Sequence, residues 1–171
     1  MRLFLGKIPE IAEQIVDTLI STDYIEVEDD LVDEVRMDIE AVLKEYLRMD
    51  REIFERAKDI LAKKGDNYSQ LGKLRNQLAQ KLGFGIGDMS IEYIVNQIVE
   101  MLFISKHVDE VFGEDHELTA KILPILQKYM EMDEDLDQEV RKRIKNLKEG
   151  TVERDIEYQK TRSDIIKSKK F

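Results

Sequence analysis

Apolar residues recur near the start of the chain at Ile8, Ile11, Ala12, Ile15, Val16, Leu19 and Ile20. The spacing i, i+3, i+4, i+7, i+8 is one stripe of a helix with 3.6 residues per turn and cannot be one face of a strand. Glu10, Glu13 and Asp17 take the opposite face, and Pro9 sits in the first turn, where a missing N–H leaves no bond unmade. The same stripe returns at Ile91, Ile94, Val95, Ile98, Val99, Leu102 and Phe103, opposite Glu92, Asn96 and Glu100.

The two stripes lie 83 residues apart (Ile8 to Ile91), and the register continues without a gap. Glu34 matches Glu117, Val35 matches Leu118, Ile39 matches Ile122 and Leu43 matches Leu126. Tyr46 then matches Tyr129, Met49 matches Met132 and Asp50 matches Asp133. This reads as an internal tandem duplication. Identity at Gln14/Gln97 and Asp50/Asp133 is polar, and no helical stripe requires it.

Other periodic stretches fill in the elements. Leu31, Val35, Ile39, Val42, Leu43 and Tyr46 predict a second helix ending near Met49. Ile53, Ala57, Ile60 and Leu61 predict a third, stopped at Lys64–Gly65. Leu71, Leu74, Leu78 and Leu82 predict a fourth. Residues 23–30 and 107–115 read as connections. Ser90 is the expected N-cap of a fifth helix over 90–105. A sixth covers Leu118–Met130, with Pro124 expected to kink or break it. A seventh carries Leu136, Val140, Ile144 and Leu147, and a last helix spans about 151–167. The expectation is an all-α protein of about eight helices in two tandem helical-bundle halves. These are residues 1–82 and residues 90–171, the second with a basic C-terminal helix, joined by a glycine-rich linker over 83–89. The linker sequence Gly83–Asp88 (GFGIGD) makes a poor phosphate loop, because no strand precedes it and no Lys-Ser or Lys-Thr follows.

Composition agrees with helices. Of 171 residues, 37% are charged and only eight are Gly and two Pro, so there is little to interrupt a helix. Cysteine is absent, which removes a disulfide framework and thiolate chemistry. No apolar run reaches bilayer-spanning length, and the opening MRLFLGK is too short for a signal peptide. The expected setting is a soluble, cytoplasmic one. The lack of Cys and Trp beside abundant Glu, Lys and Ile would suit a thermophile.

Charge falls in blocks. Residues 1–55 hold 6 basic and 16 acidic side chains, 56–82 hold 7 and 2, 83–140 hold 3 and 14, and 141–171 hold 11 and 5. Each copy thus has an acidic front and a basic back. One reading is internal or intersubunit packing of opposite charges, worth roughly 0–1 kcal/mol per surface pair. The other is a nucleic-acid or partner face built from Lys58, Lys63, Lys64, Lys73, Arg75 and Lys81 with Arg141, Lys142, Arg143, Lys145 and Lys148. Against it, the acidic blocks repel phosphate, and few aromatics are interleaved for stacking.

Catalytic constellations are scarce. Neither His107 nor His116 follows a Glu at the spacing of a Glu-x-x-His pair, and HExxH is absent. No nucleophile-elbow glycines surround a serine. The acidic runs Glu26–Glu34 and Asp133–Asp137 lack the central Gly and closing Glu of an EF-hand. An enzyme with a carboxylate-only metal site would need several of Glu13, Asp17, Glu34 and Asp38 to converge in a buried cleft. Tyr46 and Tyr129 read as core or half-buried rings.

The segment Glu139–Tyr158 (EVRKRIKNLKEGTVERDIEY) resembles the C-terminal signature of the bacterial family called domain of unknown function 507. Val140, Arg141, Lys142, Ile144, Leu147, Lys148, Gly150, Glu153, Asp155 and Tyr158 follow that pattern, as does the opening Met1-Arg2-Leu3. Arg154 stands where the pattern has tryptophan and Glu157 where it has leucine. The resemblance implies an α-helical bacterial protein and no assigned activity. The functional expectation is a non-enzymatic interaction or scaffolding protein, without cofactor or small-molecule substrate. It would act through a protein partner or a second copy, with nucleic-acid association as the alternative.

Overall fold

The computed structural model describes residues 3, 5–147 and 151–169, the side chains of Asp133 and Lys169 excepted. Their order is α1 (Ile8–Ser21), β1 (Ile25–Glu26), α2 (Val32–Lys64), α3 (Leu71–Lys81), α4 (Ser90–Ile104), β2 (Glu110–Val111), α5 (Asp115–Arg143) and α6 (Val152–Lys169). The fold is all-α, with six α-helices among the described residues rather than the expected eight or so.

The difference lies in two long helices. The expected second and third helices are one, α2, of 33 residues, and the sixth and seventh are one, α5, of 29, which ends at Arg143 so that Ile144 and Leu147 lie beyond it. Nothing at Met49–Arg51 can stop a helix, because neither Gly nor Pro stands there. Arg48 ties the turns on both sides together, pairing with Glu45 and Glu52 at 2.7 Å each. Helix α5 runs through Pro124 without a break. Pro124 and Ala120 are both exposed, so the carbonyl that proline leaves unpaired faces water. Helix α2 stops at Gly65, which takes φ +66°, the left-handed cap expected there. Ser90 does not cap α4. It is the helix's first residue, and its hydroxyl donates to the Gly87 carbonyl at 2.7 Å.

The stripes found in the sequence are buried. Ile8, Ile11, Ala12, Ile15, Val16 and Leu19 are enclosed on α1, and Ile91, Ile94, Val95, Ile98, Val99 and Leu102 on α4. One core takes residues from both halves. Helix α1 packs on α2 and on α5, and α4 packs on α5 and on α2. The two connections also meet: β1 and β2 form a two-stranded antiparallel ladder, Ile25 opposite Val111 and Glu26 opposite Glu110. Strands of two residues carry no readable alternation, so the sequence marks these only as loops.

A 33-residue helix is about 50 Å long and the 14-residue α1 about 21 Å, so α2 runs well past its neighbour. Helix α3 covers the C-terminal part of α2, and α6 covers that of α5. The α5–α6 pair has its own small core of Leu136, Val140, Ile144 and Ile165, flanked by Leu147, Tyr158 and Ile166. No helix among the described residues is long and apolar enough to cross a membrane.

Candidate functional site

Helices α2 and α4 leave a groove of about 370 Å³ between them. Its floor is aromatic. Tyr46 from α2 stacks on Phe84 with ring centroids 4.9 Å apart, and Phe84 meets Tyr93 of α4 edge-on at 4.9 Å. Phe84 belongs to the glycine-rich segment between α3 and α4, and is itself buried. The Tyr46 hydroxyl donates to the Gly85 carbonyl at 3.0 Å. Burial, with the Asp50 carboxylate nearby, pushes this hydroxyl up to about 12. Gly85 has no room for a side chain, since a Cβ there would lie 2.6 Å from the Met89 carbonyl oxygen and 2.6 Å from Tyr93 Cβ.

Met49 and Val42 of α2 face Met101 and Ile94 of α4 across the groove, with the small Ala41 between the α2 residues of the rim. Methionine adapts to varied apolar surfaces because its three torsions turn freely. Polar groups stand at the edges. Asp38 accepts from the Ser105 hydroxyl at 2.7 Å and pairs with His107 Nδ1 at 2.8 Å. Glu45 is held by Arg48, whose hydrogen bond keeps its carboxyl below the usual range. Gln97 lines the groove, and its side-chain amide makes no hydrogen bond among the described residues.

Tyr129, the tyrosine whose sequence register matches Tyr46, makes a different contact, between α1 and α5. The Tyr129 hydroxyl donates to Glu10 Oε1 at 2.9 Å and lies 3.0 Å from the Gln14 amide oxygen, bridging the two helices. Lys7 pairs with Glu10 at 2.9 Å, and this contact, then the tyrosine, holds the Glu10 carboxyl low. Burial and then Glu10 raise Tyr129 to about 12. Lys128 sits over the Tyr129 ring at 5.5 Å. Asp38, Glu45 and Tyr93 of the groove thus correspond to Lys121, Lys128 and Glu10.

The basic residues singled out in the sequence lie on the two long-helix extensions. Lys58 rests over the Phe54 ring at 5.4 Å, and Lys63 and Lys64 close α2 as exposed side chains. On α3, Lys73 and Lys81 are exposed, whereas Arg75 pairs with Asp50 of α2. Arg141 pairs with Asp137 at 2.8 Å and Arg143 with Glu139 at 3.1 Å, while Lys142 and Lys145 are exposed. Lys148 lies outside the described residues. The structure brings the first set together around α2–α3 and the second around the end of α5.

Two of the four carboxylates considered for a metal, Asp17 and Asp38, have other partners. Asp17 takes Arg36 at 2.8 Å, and Asp38 takes Ser105 and His107. Among the described residues no group of three or more His, Asp or Glu is placed to hold a metal ion. The signature-like segment builds structure: Val140 and Ile144 enter the small second core, the Tyr158 hydroxyl donates to Asp137, and Arg154 Nη1 donates to the Leu147 carbonyl at 2.7 Å.

The groove was not legible in advance, since its two walls come from helices separated along the chain by the whole of α3 and the glycine-rich segment. One signal was present: Tyr46 and Tyr129 match, but the residues that meet them from α4 and α1, Tyr93 and Glu10, do not.

A family model described as protein of unknown function (DUF507) matches residues 1–171, and the chain belongs to that family. No curated protein matches it.

Proposed function

We propose that this member of the family is a non-enzymatic helical interaction protein, and that its docking surface is the groove between α2 and α4. The observation that carries this is the apolar groove itself, with Met49 and Met101 over a packed floor of Tyr46, Phe84 and Tyr93. Adaptable methionines above a rigid aromatic base suit an apolar segment of a protein. Action without catalysis goes with this reading, because the groove's two carboxylates, Asp38 and Glu45, are engaged by Ser105, His107 and Arg48. The setting we propose is the bacterial cytoplasm.

Tandem duplication belongs to the same proposal. The order helix, strand, long helix, covering helix occurs twice, and buried positions coincide pair by pair: Ile39 with Ile122, Leu43 with Leu126, Ile53 with Leu136. On this view the copies diverged at one place. The bridge from Tyr129 to Glu10 was kept or gained in one copy, and the groove was opened in the other.

The test is titration with the neutral apolar dye Nile red, comparing the protein with Ala41→Arg. Ala41 is exposed on α2, and arginine is a good helix former, so the variant folds. Saturable dye binding that the substitution abolishes supports the groove. Dye binding that is absent, or the same in both proteins, overturns it.

A second reading keeps the basic segments as a nucleic-acid surface. Lys63, Lys64, Lys73, Lys142 and Lys145 are exposed without an ion pair among the described residues, which favours it. Arg75, Arg141 and Arg143 are held by carboxylates, which weighs against it. Salt-dependent binding to duplex and single-stranded oligonucleotides, lost in Lys63→Ala/Lys64→Ala, would establish it.

A further inference from the structure

We infer that the occupant of the α2–α4 groove is a basic amphipathic helix: an apolar stripe flanked by lysine or arginine, presented by a protein partner. This rests on the groove reading above and adds the chemistry of what it takes.

Length sets the first condition. The α2 wall runs from Asp38 to Met49 and the α4 wall from Tyr93 to Met101, spans of about 17 Å and about 12 Å at 1.5 Å per residue. That is two to three helical turns, enough for apolar anchors at i, i+4 and i+7 of an incoming helix.

Charge sets the second. The stretches that form the walls, residues 32–49 and 90–104, carry seven carboxylates against three basic side chains. All three bases are already committed. Arg36 pairs with Asp17 and Asp33, Lys44 with Glu40, and Arg48 with Glu45 and Glu52. Glu34, Glu92 and Glu100 are exposed, with no basic partner among the described residues. Of the seven carboxylates only Asp38 and Glu45 line the groove, both on its α2 wall, and Glu45 shares its one basic partner, Arg48, with Glu52, so an acidic or phosphate-bearing ligand would meet net negative charge along that wall and a basic one a complementary surface.

The corresponding place in the other half shows that this acidity is not a requirement of the fold. There Lys121 and Lys128 stand where the groove has Asp38 and Glu45, on the same long-helix scaffold and above the same buried tyrosine. Acidic side chains on the groove's rim are therefore a property of the groove, and they select for the charge of what enters.

The experiment uses the full chain and three synthetic peptides of about five helical turns. One places leucine and lysine in an amphipathic pattern, one scrambles the same residues, and one replaces lysine by glutamate. Binding is read by anisotropy of the labelled peptide and by displacement of Nile red. The inference expects one-to-one binding of the patterned Leu/Lys peptide, with dye displacement, at least about tenfold tighter than either control. Ala41→Gln, neutral but bulkier, and Glu45→Lys should each weaken it by about tenfold. Equal binding of the scrambled peptide, equal binding of the Leu/Glu peptide, or affinity unchanged in both variants overturns it. If the dye binds and no peptide displaces it, the partner chemistry is wrong and the groove stands. If the dye does not bind the parent protein, the groove reading itself has failed.

Discussion

Tyr46 donates its hydroxyl to the carbonyl of Gly85, 39 positions further along the chain, at 3.0 Å. This bond fixes the glycine-rich segment against α2. Its counterpart Tyr129 instead reaches across to Glu10 and Gln14. Two tyrosines 83 positions apart thus do different things: one lines a groove and the other bridges two helices.

Tyr46→Phe keeps the ring stack on Phe84 but leaves the Gly85 carbonyl without its donor. The expected cost is about 1–3 kcal/mol of unfolding free energy. A lower urea midpoint with an unchanged slope is the measurement that checks it.

Both tyrosines give the fold an alkaline limit. Their hydroxyls are raised from 10 to about 12, so the fold favours the neutral form. Their contribution to stability is complete below pH 10, where folded and unfolded tyrosines are both neutral. It declines as pH rises from about 10 to about 12, because the unfolded chain ionises first. Stability measured across that range should fall, and the fall should be shallower in Tyr46→Phe. A flat profile would contradict this.

Two glycines should respond in opposite ways to alanine. At Gly85 the new Cβ meets backbone and Tyr93 Cβ at 2.6 Å, so Gly85→Ala should cost about 1–3 kcal/mol and weaken dye binding. At Gly72 nothing lies within 4 Å, and the residue is in the first turns of α3. Gly72→Ala should stabilise by up to about 1 kcal/mol. Thermal denaturation of the pair separates the two effects.

Pro124 is exposed inside α5 and interrupts its hydrogen bonding without ending it. Pro124→Ala restores a donor and removes the ring's contact with the preceding turn. A gain of about 1–3 kcal/mol is expected from chemical denaturation.

Helix α6 depends on a core separate from the main one, with Ile165 fully buried in it. Ile165→Ala should cost about 2–5 kcal/mol locally. Hydrogen exchange should accelerate in α6 and the end of α5, while amides of α1 and α4 keep their protection. Uniform acceleration would mean that the two cores unfold together.

What the sequence made legible was what periodicity encodes. The stripes on α1 and α4 become the centre of the core, Ile20 and Phe103 at their ends being less enclosed. Helix boundaries set by a left-handed glycine, as at Gly65, were readable too. The long helices were not, because Met49-Asp50 and Pro124 interrupt the apolar pattern without interrupting the backbone. The β1–β2 ladder was hidden by its length. The groove was hidden by its nature: Met49 marked only a helix end and Phe84 only a linker position, and nothing in the sequence brings them beside Met101.

The most direct test of the account is the methionine-methyl NMR spectrum of the full chain, titrated with the patterned Leu/Lys peptide. Met49 and Met101 line the groove, whereas Met37 and Met89 are exposed, at 60% and 59%, and do not line it. The account expects the Met49 and Met101 resonances to shift and saturate together, with Met37 and Met89 little changed. Shifts confined to Met37 or Met89, with Met49 and Met101 unmoved, would contradict it.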